Sequence, residues 1–567
     1  MPSTSQSHPE TGTSDAPTSK ASWTPLVVIC LAMAVEAYDA TNLPVAISAI
    51  VRELATSISG IQAAIVLFSL ICAPLMLAAG TLGDLWGKRR AFRIGILLFG
   101  LGALTTALAP NYTVFVSGYS VLKATGAVLL VPTGTALILA NYSGHQRALA
   151  FGIMAASLSG TIAFTPLLMG FITTQFGWRW GLGLSAALAT VVLGLSGLLR
   201  ETDRREGSVD WFGAVLALAG LGAIGLGCTA AGRYGWWDAR RPFVLGDHEI
   251  APMGLSITPL LIGIGVVVMV AFFNWGERRQ RLGRLPLVRA SLFGSGTFRV
   301  GLVVGALQML ATAALVFVIP VFLQSAAGFD AFHTGLALLP YSLSILVTSI
   351  AAGHAVRWIP SKYLVQVALC LMVCGLFYLA ATIHAEITIR ELLAPLILCG
   401  LGAGTAASQL PNLTLSAVRG REVGEASGVM ESLNELAAGC GTAIIGSILL
   451  VSTYTGIIDG VLRAEGAQIS VAERQQMILE LEDAVTSFTP EEELEFIRQL
   501  PPETQTALEH VVPEADVRAM TNSLATVLLI VLAALLASAF LSRNPDQVAG
   551  APEPRESGRQ QRAGPAG

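Results

Sequence analysis

Apolar residues fill long runs of this chain, and polar residues gather in the short gaps between them. Runs of about 20 apolar residues, the length that crosses a bilayer as a helix, lie near 25–50, 61–83, 91–109, 113–140, 148–174, 179–199, 209–229, 255–274, 297–323, 332–356, 362–382, 390–416, 425–451 and 519–541. The pattern predicts an all-α polytopic membrane protein with about 14 transmembrane helices. Composition agrees: 53% of the 567 residues are hydrophobic and 13% charged, against about 25% charged in soluble domains. The net charge of -4 is distributed among the gaps and implies no nucleic-acid surface. The seven cysteines fall inside apolar runs without paired metal-ligand spacing, which reads as packing.

The gaps orient the bundle. Lys88, Arg89, Arg90 and Arg93 follow the second run, Arg200, Arg204 and Arg205 the sixth, Arg278, Arg279, Arg281, Arg284 and Arg289 the eighth, and Arg419 and Arg421 the twelfth. All four gaps fall on one side, which the positive-inside rule makes the cytoplasm, with both termini there. Residues 1–22 and 542–567 are polar, rich in Ser, Thr, Pro, Gly or Arg, and read as disordered cytoplasmic tails. Residues 452–518 carry fourteen Asp and Glu against four Arg and must be an extracellular loop. Within it "VAERQQMILELEDAV" has helical spacing, and "TPEEE" caps "LEFIRQL", so a two-helix hairpin is expected.

Charges inside the runs are costly in lipid and mark candidate chemistry. In "AVEAYDATNLP", Glu36 and Asp39 lie three residues apart; Glu431 and Glu435 lie four apart in the thirteenth run, so each pair lines nearly one helical face. At about 1.5 Å per residue, Asp39 lies about 20 Å from the cytoplasmic start of its helix, and Lys123 and Glu435 about 15 Å from the outer and inner starts of theirs. All approach the midplane. Four acids facing one lysine cannot all stay ionised in a dry interior, and carboxylates that take up protons suit a proton-coupled carrier. Gln308, Gln324, Gln409, Asn412 and Asn434 read as helix ties, and Trp178 and Trp180 as interface anchors.

Ordered motifs narrow the reading. "GTLGDLWGKRR", with Gly80, Leu82, Asp84, Gly87, Lys88, Arg89 and Arg90, resembles the loop signature between spans two and three of the major facilitator superfamily. "YDATNLP", "FGWRWGLGL", "VDWFGAVLALAG", "PLVRASLFGSGTFR", "GLALLP" and "ASGVMESLNELAAGCGTAIIGSIL" resemble its fourteen-span drug:proton antiporter family. The resemblance runs from about Trp23 to Leu541. It implies a six-helix half at 23–200, two inserted transmembrane helices with linkers at 201–290, and a second six-helix half at 291–541 that includes the acidic loop. It also implies that Asp84 braces the inside gate.

Departures from that family bear on mechanism. Ser120 stands where the family has an Arg in span four, with Lys123 three residues on. In span five "TPLLMG" keeps Pro166 and Gly170 of the antiporter motif, while Thr165 and Met169 replace glycines, and Met169 should loosen that helix contact.

The resemblance and the buried acids together imply a multidrug-efflux-type carrier in the inner (cytoplasmic) membrane. It would export amphiphilic, cationic organic compounds against inward-moving protons, with no cofactor or metal beyond the proton gradient. Asp39 is expected to alternate between proton and substrate, Glu435 to be its counterpart, and Glu36, Glu431 and Lys123 to assist. Its partners would be the small-molecule substrate, protons and the bilayer, with no nucleic acid. An exporter of one endogenous metabolite or lipid, or an uncoupled facilitator, is the alternative. A membrane enzyme would need clustered catalytic groups, whereas the seven His are scattered.

Overall fold

The computed structural model describes residues 23–542 apart from 143, 200, 202–209, 242, 246–247, 251–253, 419–421, 465–468, 488–497 and 499–501. The tails expected at 1–22 and 542–567 lie outside the described residues but for Ser542. Fourteen described helices are long and apolar enough to cross a membrane. They are α1 (Thr24–Glu53), α2 (Ile58–Trp86), α3 (Lys88–Ala107), α4 (Tyr112–Ile138), α5 (Gly144–Phe176), α6 (Trp178–Leu198) and α7 (Trp211–Tyr234), followed by α8 (Ile257–Arg281), α9 (Gly296–Ser325), α10 (Ala331–Ala355), α11 (Ser361–Thr382), α12 (Ile389–Ser416), α13 (Val423–Ala464) and α14 (Pro502–Ser538). A two-stranded antiparallel ribbon, β1 (Phe243–Leu245) with β2 (His248–Ile250), sits between α7 and α8. Its short polar gap carried no strand periodicity in the sequence.

The helices alternate in direction. At one end, which carries Lys88 and Arg89 and is called the basic end, Leu26 at the start of α1 donates to Tyr142 just past α4, and Arg89 donates to the carbonyl of Gly197 at the end of α6. The opposite, acidic end carries the 452–518 segment. There Glu53, ending α1, accepts hydrogen bonds from Trp178 and Arg179, and Arg179 also donates to Ala109 at 2.8 Å, tying α1, α3 and α6. Trp178 is therefore a buried clamp, with its indole N–H spent on Glu53, whereas Trp180 is 71% exposed and fits an interface anchor. The turn from α2 to α3 is a single residue, Gly87, at φ 93°, a left-handed conformation that a side chain would disfavour.

Helices α1 to α6 pack among themselves, and so do α9 to α14; the two groups meet along α2 against α13 and α5 against α10. Lipid supplies no hydrophobic drive between helices, so close packing and hydrogen bonds hold these seams. Gln62 donates to the carbonyls of Thr442 and Ala443 at 2.9 and 3.0 Å, and Ser432 donates to Ala73 at 2.5 Å. Helix α7 covers the α2–α13 seam through Leu221 and Cys228, packed with Leu70 and Leu436. Its start is fixed by Asp210, which accepts from Gly213, Trp275 and Arg279 at 3.0, 3.1 and 3.2 Å and so latches α7 to α8.

The acidic segment differs from a free loop. α13 continues to Ala464 and α14 begins at Pro502, well before the apolar run at 519. The cause is tertiary: the two helices pack on each other beyond the apolar stretch, with Thr453 donating to Asp516 at 3.1 Å and Gly456 seated against Ala515. The first expected hairpin helix is present as Val471–Ser487, started by a reciprocal Ser470–Glu473 capping box and held by Arg474 to Asp459 and Arg241 to Glu482. The second, at 494–500, lies outside the described residues but for Arg498.

Candidate functional site

The intramembrane charges come from α1, α4 and α13 and meet beside α2. Asp39 is 3% exposed and pairs with Lys123 across 2.5 Å. Its other oxygen accepts from Ser185 of α6 at 2.9 Å and from Asn42 at 3.4 Å, so the carboxylate is coordinated on both sides. An unpaired charge here would cost several kcal/mol. The fully buried Lys123 ammonium also lies 3.6 Å from the centroid of the Tyr119 ring, a cation–π contact.

A local irregularity delivers that lysine. Residues Ser117–Lys123 form a π-helical stretch, which adds a residue per turn and rotates the rest of α4 about its axis. Ser120, at the family's Arg position, is turned to the backbone of α2, donating to Ala64 at 2.7 Å. Lys123 is turned to Asp39 instead. The positive charge therefore stands one turn away from the family's Arg position, in contact with Asp39.

Glu36, Glu431 and Glu435 retain part of their surface, unlike Asp39. Glu36 interacts electrostatically with Glu435, Asp39 and Glu431, and Glu435 with Glu431. Ser69 of α2 lies beside Glu435, Asn434 beside Glu431, and the Cys72 thiol among Glu435, Glu36 and Lys123. All five charged residues singled out from the sequence are thus brought into one cluster that bridges α1 and α13. Ser185, Ser69, Tyr119 and Cys72 were missed. Each is a neutral residue inside an apolar run, and only a count of polar residues at span centres could have raised them.

The other candidates separate. Gly80, Leu82 and Asp84 lie in the last turns of α2 and Lys88 to Arg90 begin α3, but the side chain of Asp84 lies outside the described residues. Pro166 and Gly170 lie where α5 meets α10: a side chain at Gly170 would meet Ala331, and one at Gly335 would meet the carbonyl of Pro166. Met169 does not loosen the neighbouring contact. It is fully buried against Gly181 of α6, where a missing side chain leaves room for its sulfur. Among the amides, Gln324 ties α9 to α1 through Ser48 and Pro44, both at 3.3 Å, Gln409 ties α12 to α11 through Ser361, and Gln308 bonds within its own helix to Thr312.

Such a pair of helical groups with carboxylates at their junction is the frame of a secondary carrier. The Major Facilitator Superfamily model matches residues 29–442, well over half of the chain. The chain belongs to the Major Facilitator Superfamily. As a facilitator-superfamily protein it is a multi-pass transporter and not an enzyme. Its relatives include Multidrug resistance protein Stp of Mycobacterium tuberculosis, 27% identical over 414 residues, covering 72% of this chain and 73% of that protein. Puromycin resistance protein pur8 of Streptomyces alboniger is 29% identical, covering 77% and 84%. Multidrug export protein EmrB of Haemophilus influenzae is 24% identical, covering 74% and 78%. Among solved structures, a bacterial homolog of the human lysosomal transporter Spinster matches with a TM-score of 0.57 at 13% identity, covering 91% of this chain and 97% of that one. The D-xylose-proton symporter matches at 0.54 and 13%, covering 83% and 98%. At that identity these two speak for the fold alone.

Proposed function

We propose that this facilitator-superfamily transporter exports amphiphilic organic cations across the cytoplasmic membrane, with both termini cytoplasmic, in exchange for inward-moving protons. The observation that carries the reading is the charge cluster: three partly exposed carboxylates, Glu36, Glu431 and Glu435, beside an Asp39 whose ammonium partner is buried with it. A substrate cation entering between the helical groups meets Glu36 and Glu435 first. Asp39 completes the exchange, because a proton on its carboxylate frees Lys123 and a charged carboxylate recaptures it. Loading a cation and loading a proton then exclude one another, which couples the two fluxes.

The acidic end is closed by Gln324 against α1 and by the α5–α10 contact at Pro166 and Gly335. An exporter loads from the basic end, so the reading requires that Glu36, Glu431 and Glu435 be reached from there. The basic gap residues and the relatives' names for multidrug export support that direction. The reading is tested in proteoliposomes: a lipophilic cation should accumulate against its gradient only when a pH gradient is imposed. Accumulation of equal size without the gradient would favour uncoupled facilitation.

A further inference from the structure

We propose that the closed acidic end contains a second substrate subsite, which takes a small apolar group carrying a hydrogen-bond acceptor; this rests on the export reading above. A cavity of about 30 Å³ lies there between α1, α5, α9 and α10, with Thr41, Pro44, Pro166, Pro320, Leu338, Tyr341 and Ser342 in its wall. Proline interrupts each of the four helices at this level, at Pro44, Pro166, Pro320 and Pro340.

Tyr341 brings an unanswered donor to this wall. Tyr341 is 6% exposed and its hydroxyl has no hydrogen-bond partner. A buried orphan of this kind costs about 1–3 kcal/mol, so an occupant that accepts its proton gains what the empty site forgoes. A water needs about 10–15 Å³ on this scale and two to four polar partners, whereas this wall is mainly apolar. Two or three non-hydrogen atoms fit, which describes a methoxy group or a carbonyl on a ring.

The position suits an amphiphile. Thr41 lies five residues beyond Glu36, about 7.5 Å along α1, so the subsite stands on the same helix as that carboxylate and nearer the acidic end. An occupant would also touch α1 and α5 of the first helical group and α9 and α10 of the second. It therefore binds only while the acidic end is shut, and it favours that state by its differential affinity.

The test compares tetraphenylphosphonium with its mono-4-methoxy analogue, bound to the purified full-length protein. Wild type should prefer the methoxy compound by about two- to tenfold, the worth of one hydrogen bond. Tyr341→Phe should abolish the preference and leave tetraphenylphosphonium affinity within about twofold. Leu338→Phe, which fills the cavity and spares the hydroxyl, should remove the preference as well. A preference that survives Tyr341→Phe overturns the subsite, and so does a wild type that treats the two compounds alike, the behaviour of a packing void or a held water. Wild type that binds neither compound overturns the export reading itself, and the subsite with it.

Discussion

Removing Lys123 is the sharpest perturbation of the site. Lys123→Ala leaves the Asp39 carboxylate buried with only Ser185 and Asn42 as partners. Two unit charges about 4 Å apart attract by about 4 kcal/mol at an effective dielectric near 20, and loss of one partner from a buried pair costs about 3–5 kcal/mol. The observed separation of 2.5 Å puts this pair at the strong end. Asp39→Asn should cost less, since the amide still accepts from Ser185 and the ammonium keeps the Tyr119 face, worth about 0.5–2 kcal/mol. The double variant Asp39→Asn with Lys123→Met removes both charges and should recover at least half of the loss seen in Lys123→Ala. The assay is chemical unfolding of the purified protein in mixed micelles, run as a double-mutant cycle. Single-variant losses that add to within about 0.5 kcal/mol would show that the two residues do not support each other, and would refute the argument.

Three further outcomes are expected from the same geometry. Ser120→Arg combined with Lys123→Ala should not restore transport, because position 120 faces the backbone of α2 and not Asp39; rescue would mean that α4 tolerates the charge at either turn. Glu435→Gln should reduce export of divalent cations by about tenfold and of monovalent ones by less than threefold, since two separated positive centres need two acids and one lost charged contact is worth about 1.4 kcal/mol; equal losses in a vesicle flux assay would remove Glu435 from substrate contact. Asp84→Asn should give a well-expressed protein that binds substrate with unchanged affinity and cycles at least several-fold more slowly; wild-type turnover would end its assignment to the gate.

How much could be read beforehand differs by scale. The fourteen spans were legible because bilayer thickness imposes one length on every apolar run, and Glu36, Asp39, Lys123, Glu431 and Glu435 stood out because charge is rare in such runs. The contacts that join them were not legible. The π-helical stretch at Ser117–Lys123 leaves no signature in hydropathy, so the lysine's contact with Asp39 could not be separated from a neighbouring-face position. Ser185 and Tyr119 matter only because other helices bring them to a charge. The run to Ala464 in α13 was misjudged for a related reason: its continuation depends on α14 packing beside it, a contact that pattern along one segment does not carry. Trp178 looked like an interface anchor because its partner Glu53 is 125 residues away in the chain.

The central claim is that proton and cation compete for one carboxylate cluster in which Asp39 is indispensable. Its most direct test is the proton flux that accompanies cation movement, read with a pH-sensitive dye inside acid-loaded proteoliposomes. Adding a lipophilic cation outside wild-type vesicles should alkalinise the lumen as the cation enters, and Asp39→Asn of equal expression should give neither the alkalinisation nor the accumulation. Cation accumulation with no proton release in the wild type, or the wild-type response in Asp39→Asn, would contradict the account.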